Sequence, residues 1–173
     1  TKGITIEHVP TSNYSIPTNI FSEGHKDHNG TLLLRAGYPR NVFSYWNNNW
    51  DLLDGFSSIA NSPLFAIAPD NSYWFCGYDS LFHYDGTNIQ GWSLTDNGMP
   101  TSISTLKVGP NGTVYVGTYS SGFYSFDGYN WNLYNRSNSN ISSNEIRSFA
   151  FVGNDVWIGT TLERVQQIDY GGG

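Results

Sequence analysis

Asn111-Gly112-Thr113-Val114-Tyr115-Val116-Gly117-Thr118 is a tight polar turn followed by a short apolar strand that stops at a glycine. Asn-Gly supplies the positive φ that a tight hairpin turn needs. β-Branched and aromatic residues favour the pleated surface that follows. The same reading recurs three times, at Leu32-Leu33-Leu34-Arg35-Ala36-Gly37, Tyr73-Trp74-Phe75-Cys76-Gly77 and Val156-Trp157-Ile158-Gly159. Turn residues precede each: Asn29-Gly30-Thr31, Asp70-Asn71-Ser72 and Gly153-Asn154-Asp155. The four glycines stand 40, 40 and 42 residues apart. Spacing this even along 173 residues is the mark of a repeat architecture.

The flanks repeat too. A third strand follows each glycine: Val42–Tyr45, Leu81–Tyr84, Phe123–Phe126 and Val165–Ile168. A fourth is expected to begin at Trp50, Trp92 and Trp131. The last copy runs out before its own fourth strand, while Ile4-Thr5-Ile6-Glu7-His8-Val9 alternates at the chain start without a module of its own. The expectation is an all-β, four-bladed β-propeller of about 40-residue repeats, its N-terminal strand completing the last blade. The blades fall at about 16–54, 55–96, 97–137 and 138–170 plus 3–10, in one domain spanning 1–173. Asn, Gly and Ser interrupt every candidate for helical spacing.

Composition narrows the function classes. Aromatics make up 16% of the chain, and the formal charge is −6. Eight Lys and Arg residues form no basic stripe, which argues against a nucleic-acid partner. No apolar run approaches the roughly 20 residues that cross a bilayer, so membrane insertion is not expected. Cys76 is the single cysteine and sits in an apolar run, where it reads as a small buried hydrophobe. The start at Thr1, without Met, fits a processed secreted protein or simply the start of a longer chain's segment, and the expected location is secreted, extracellular or periplasmic. Sequons at Asn13, Asn29, Asn111, Asn135 and Asn140 are glycosylation sites if the host permits.

The run from Ile103-Ser104-Thr105-Leu106 through Asn111–Thr118 to Phe126-Asp127-Gly128-Tyr129-Asn130-Trp131 resembles the two-component regulator propeller repeats. Asp155-Val156-Trp157-Ile158-Gly159-Thr160 is a second clear match. In the first copy Gly37-Tyr38 replaces Gly-Thr, and Trp46-Asn47 replaces Asp-Gly. The resemblance implies a propeller of the kind found in sensor domains of bacterial hybrid kinases and in secreted bacterial proteins. Its motif is structural and implies no catalytic residue.

Chemistry is sparse. His25-x-x-His28 with Glu23 and Asp27 lacks a nameable third and fourth ligand and reads as a solvated hairpin; no metal or cofactor is expected. His83 reads as a packed or surface residue of its strand. Asp85 and Asp127 hold equivalent repeat positions before a glycine, which points to turn chemistry and away from a glycosidase pair. The repeated tryptophans read as packing between blades. The informative loops join second and third strands, where Tyr38, Tyr78 and Tyr119 follow the glycines and charge varies from Arg40 to Asp79 to Glu163. Tyr gives a rigid contact surface and a hydroxyl. Trp46, an aromatic at a turn where other copies carry Asp, joins Tyr38, Arg40, Tyr78, Asp79, Tyr119 and Glu163 as a candidate contact residue.

These features favour a non-enzymatic binding or scaffolding module whose ligand is a glycan or a protein. One alternative is a structural subunit of an extracellular assembly: a filament, surface layer or phage particle. Others are a ligand-sensing fragment of a bacterial sensor and a polysaccharide-active enzyme. Self-association into a homo-oligomer stays open.

Overall fold

The structure, a computed structural model, describes residues 21–36, 41–47, 49–53, 64–77, 79–161 and 165–168. Two compact units divide the chain, Thr1–Ala60 and Asn61–Gly173. Among the described residues the only helical turn is a short 3-10 segment, Thr95–Asn97.

The first unit holds one antiparallel sheet in sequential order, β1 (Phe21–Lys26), β2 (Leu32–Ala36), β3 (Asn41–Trp46) and β4 (Asn49–Leu52). Among the described residues the second unit holds three antiparallel sheets in sequential order, two of four strands and one of three. They are β5 (Leu64–Ile67), β6 (Tyr73–Cys76), β7 (Ser80–Tyr84) and β8 (Ile89–Ser93); then β9 (Ile103–Val108), β10 (Val114–Thr118), β11 (Phe123–Phe126) and β12 (Trp131–Tyr134); then β13 (Ile146–Val152), β14 (Asp155–Thr160) and β15 (Val165–Ile168). The segment 3–10, expected to complete the last blade, lies outside the described residues.

Each sheet is an antiparallel meander, its strands ordered as they follow in the chain. In the first three sheets the opening turn has one hydrogen-bond plan. Asp27, Ala68 and Gly109 each donate their N–H to the carbonyl four residues on, of Thr31, Ser72 and Thr113. Asp27 is buried, and its Oδ1 accepts the N–H groups of Asn29 and Thr31. That fixes the His25–His28 segment as a capped hairpin, and no group of metal-ligating side chains forms among the described residues. At the β7–β8 and β11–β12 turns, Asp85 and Asp127 each accept two backbone N–H groups on Oδ1 and an Asn amide on Oδ2. The repeated carboxylates are turn ligands.

The ladder register corrects part of the sequence alignment. Leu32, Tyr73, Val114 and Val156 hold equivalent places, 41, 41 and 42 residues apart. Gly117 and Gly159 are then equivalent to each other, but Cys76, not Gly77, takes that position in the second sheet, and Arg35 takes it in the first. Trp92 also moves. Trp131 pairs with Phe126 and Trp50 with Tyr45, whereas the equivalent partner of Tyr84 is Ile89, and Trp92 pairs with Leu81 near the far end of β8. Register follows turn length and ladder bonding, so a tryptophan found at nearly the right distance need not sit in the repeat position.

In the second unit the first strands lie side by side, β9 between β5 and β13. The Ser104 hydroxyl donates to the Ile146 carbonyl at 2.5 Å, tying β9 to β13. Gly117 lets the third and fourth sheets approach. A Cβ there would stand 2.6 Å from Thr105 Cγ2 and 2.9 Å from Ile146 Cγ2. The seam between the second and third sheets is aromatic. Phe126 stacks on Trp131 of its own sheet at 4.3 Å and meets Trp92 and Trp74 edge-on at 5.1 and 6.2 Å. Across the next seam Phe149 meets Phe123 edge-on and Tyr115 at a tilt. Trp92 thus packs between blades as expected, although from a different register. Trp50 packs within its sheet on Tyr45, at 4.7 Å.

Candidate functional site

Tyr119 follows β10 in the loop to β11, and that loop shares one end of its sheet with the connection arriving from the sheet before. The Tyr119 N–H donates to the Ser102 carbonyl at 3.1 Å, and the Gly122 N–H to the Asn144 carbonyl of the next connection at 2.8 Å. In the second sheet the Leu94 N–H binds the Asp79 carbonyl at 2.7 Å. Loops between second and third strands therefore gather with the sheet-to-sheet connections, as expected, in the part of the chain where both are described.

At this end a pocket of about 230 Å³ opens between the second and third sheets. Leu64, Cys76 and Gly77 form one side, and Thr101, Ser102, Ile103 and Ser104 the other, with Tyr119 at the edge. Tyr119 is 48% exposed, which for a ring on a rim leaves a face for a ligand. Arg147, at the start of β13, places its guanidinium carbon 5.3 Å from the Tyr119 ring centroid. Arg147 also pairs with Glu145, whose second carboxylate oxygen accepts the Thr161 hydroxyl at 2.9 Å. These exposed contacts add little stability, but they limit where the Tyr119 ring can turn. Cys76 sits deeper; burial pushes its thiol up to about 12, which leaves it protonated and unreactive. The lining is otherwise hydroxyls, backbone and aliphatic carbon. It can stack against an apolar ring face and exchange hydrogen bonds with hydroxyls or amides.

The structure brings together only part of the sequence-derived set. Tyr119 lines the pocket, and Asp79 is exposed at the same end of the neighbouring sheet, its Oδ1 accepting the Ser80 hydroxyl. Tyr38, Arg40, Tyr78 and Glu163 lie outside the described residues. Trp46 is 51% exposed at the end of β3 and leans toward the Gly30 turn, where an added Cβ would meet its ring at 3.4 Å. The β3–β4 link is shorter than its counterparts, with Trp46 paired to Asn49 and Asn47 at φ 48°, so Asp is not needed to hold it. Among the sequons, Asn29, Asn111 and Asn140 are exposed, Asn135 is partly buried with its Oδ1 accepting from Ser137, and Asn13 lies outside the described residues. Sequence reading missed Thr101, Ser102, Ser104 and Arg147. They come from a connection and from the first strands of two different sheets, and they reach Tyr119 only in the folded chain.

No family model matches the sequence, and no curated relative does. Solved structures do. The chain is similar to the extracellular domain of the hybrid two component system BT3049 from B. thetaiotaomicron, with a TM-score of 0.66 at 17% identity over 90% of this chain and 22% of that one. The catalytically inactive virginiamycin B lyase from Staphylococcus aureus, solved with quinupristin, gives 0.64 at 11% over 89% of this chain and 57% of the lyase. The fold is that of a β-propeller. It is the architecture that the four-fold repeat implies. The chain spans a little over half the length of the lyase and about a fifth of the sensor domain's chain. No described helix is long and apolar enough to cross a membrane.

Proposed function

We propose that this chain is a secreted or cell-surface propeller module that binds a glycan through the loop end carrying Tyr119. One observation carries the reading: a half-exposed, laterally braced tyrosine stands at the mouth of a pocket lined by Thr101, Ser102 and Ser104. A sugar ring offers an apolar face to the phenol and hydroxyls to the serine and threonine side chains. Asp79, exposed at the same end of the second sheet, extends the contact. The similarity to sensor extracellular domains supports a ligand-binding role.

A panel of neutral and acidic oligosaccharides, screened by array and followed by titration, tests this. Tyr119→Ala should lower affinity for any hit about tenfold while the circular dichroism spectrum is unchanged. Binding that is indifferent to Tyr119→Ala and Ser102→Ala would rule this face out. An empty panel with capture of a protein ligand by the same face would move the ligand class from glycan to protein.

A further inference from the structure

At the other end of the same seam lies a second pocket, of about 390 Å³, lined by Ala68, Pro69, Asp70, Ser72, Trp74 and His83 from the second sheet and the Pro110–Gly112 turn of the third. The Trp74 and His83 rings lie 4.4 Å apart on paired positions of β6 and β7. Trp92 stacks on Trp74 at 5.5 Å. Trp74 therefore has rings against it from β7 and from β8, and the His83 imidazole lines the pocket beside it. Asp70 Oδ1 is committed to the Ser72 N–H and hydroxyl, at 3.0 and 2.7 Å, which holds the carboxylate in place and leaves Oδ2 for another donor.

The repeat makes this site conspicuous. In equivalent places the first sheet has Asn29 and Ser44, the third has Asn111 and Ser125, and the fourth has Gly153 and Gln167. Only the second repeat sets a carboxylate and an imidazole there together. The blade turn forms without them, since Asn111 accepts the Thr113 N–H just as Asp70 accepts that of Ser72. Packing does not call for the pair, and its chemistry remains to be explained.

We infer that this pocket binds an organic cation, an alkylammonium or guanidinium group, held by the Asp70 carboxylate and an acceptor nitrogen of neutral His83. The lining residues carry no cation of their own besides what His83 can become, and the chain is net negative, so the local field favours positive charge. His83 is neutral at neutral pH: burial lowers its pKa, while Asp70 from the β5–β6 turn and Asp85 from the β7–β8 turn pull it back upward. The Asp70 carboxyl lies below its ordinary value because of its two bonds from Ser72. Gln90 is paired to His83 from β8, and the third sheet faces the pocket with Pro110, Asn111 and Gly112, none of them charged. Acid converts His83 to a second cation and expels the ligand.

The test is a heteronuclear NMR titration of the full chain with n-butylammonium, with methylguanidinium and, as the neutral control, with n-butanol. The expected result is saturable shifts at the Trp74 indole and His83 for the cations alone. Asp70→Asn, which keeps the turn acceptor, should weaken binding about fivefold. Lowering the pH from about 7.5 to about 5 should weaken it further in wild type and much less in His83→Gln. A blocked lysine amide run in parallel separates sources: tighter binding than n-butylammonium assigns the site to a partner's side chain, and equal binding assigns it to a free amine. Shifts equal for n-butanol, shifts that never saturate, or affinity unmoved by Asp70→Asn would each overturn the proposal. Loss of glycan binding at Tyr119 would not bear on it, because the two pockets share no residue.

Discussion

The second and third sheets of the propeller share a register and a turn plan, yet they solve the same packing problem differently. In the third, β10 and β11 are buried throughout, a glycine sits where the next sheet presses closest, and a tryptophan opens the outer strand. In the second, Cys76 replaces the glycine, Ile89 replaces the tryptophan, and Trp92 reaches the seam from three residues farther along β8. The third sheet, with β5 and β13 beside its first strand, keeps the repeat residues; the second shows that other residues can take the same positions. Asp70 and His83 are two such residues.

The largest break in that comparison should come at equivalent aromatics. Phe126 is 1% exposed and touches Trp131, Trp92 and Trp74, whereas Tyr84 is half-buried, 6.1 Å from Tyr73, with its hydroxyl bonded to the Gly86 carbonyl. Phe126→Ala should cost about 3–5 kcal/mol by denaturant unfolding. Tyr84→Ala should cost roughly 1–2 kcal/mol, because less apolar area leaves contact. Equal losses would mean that the seam is not organised around Phe126.

The glycine position gives the next effect. Gly117→Ala drives a methyl into Thr105 and Ile146, and roughly 1–3 kcal/mol of overpacking is expected. Cys76→Gly, which restores the repeat residue in the second sheet, should also destabilise, by about 1 kcal/mol, through lost buried volume and a freer unfolded chain. A stabilising Cys76→Gly would show that the second sheet merely departs from the rule by accident.

These cases also show what could be read from sequence. Turn residues and strand periodicity are local, so the sheets, their order and the turn role of Asp85 and Asp127 were legible. Gly77 and Trp92 misled because register is decided by ladder bonds across turns, and a shift of one or three residues leaves the spacing of residue types almost unchanged. Of the Tyr119 site, the tyrosine was legible as a loop residue after a strand-ending glycine. Arg147 and the 101–104 hydroxyls were not, since nothing local marks residues that converge from separate sheets. His83 and Asp70 each had an ordinary explanation alone; their proximity is a tertiary fact.

The smallest effect distinguishes charge from turn geometry. Asp85 and Asp127 lie below the ordinary carboxylate pKa, chiefly because backbone N–H groups of Asn88 and Thr87, or of Asn130 and Tyr129, favour the ionised form. A depressed folded-state pKa contributes stability above the ordinary carboxylate range, and that contribution disappears as pH falls through the folded value. Asp→Asn at either site keeps an acceptor for the same N–H groups but removes the titration. Each Asn variant should therefore stay close to wild type at neutral pH and lose stability less steeply than wild type below about pH 4. Asp→Ala removes the acceptor as well, so it should lower the melting temperature at both pH values. Asp85 has one difference from Asp127, the nearby His83, whose protonated form adds a small further pull on its carboxylate. An acid response shared by Asp85→Asn and Asp127→Asn would mark these turns as the same device in both sheets. A larger response at Asp85 would show His83 coupling the turn to the pocket beside it.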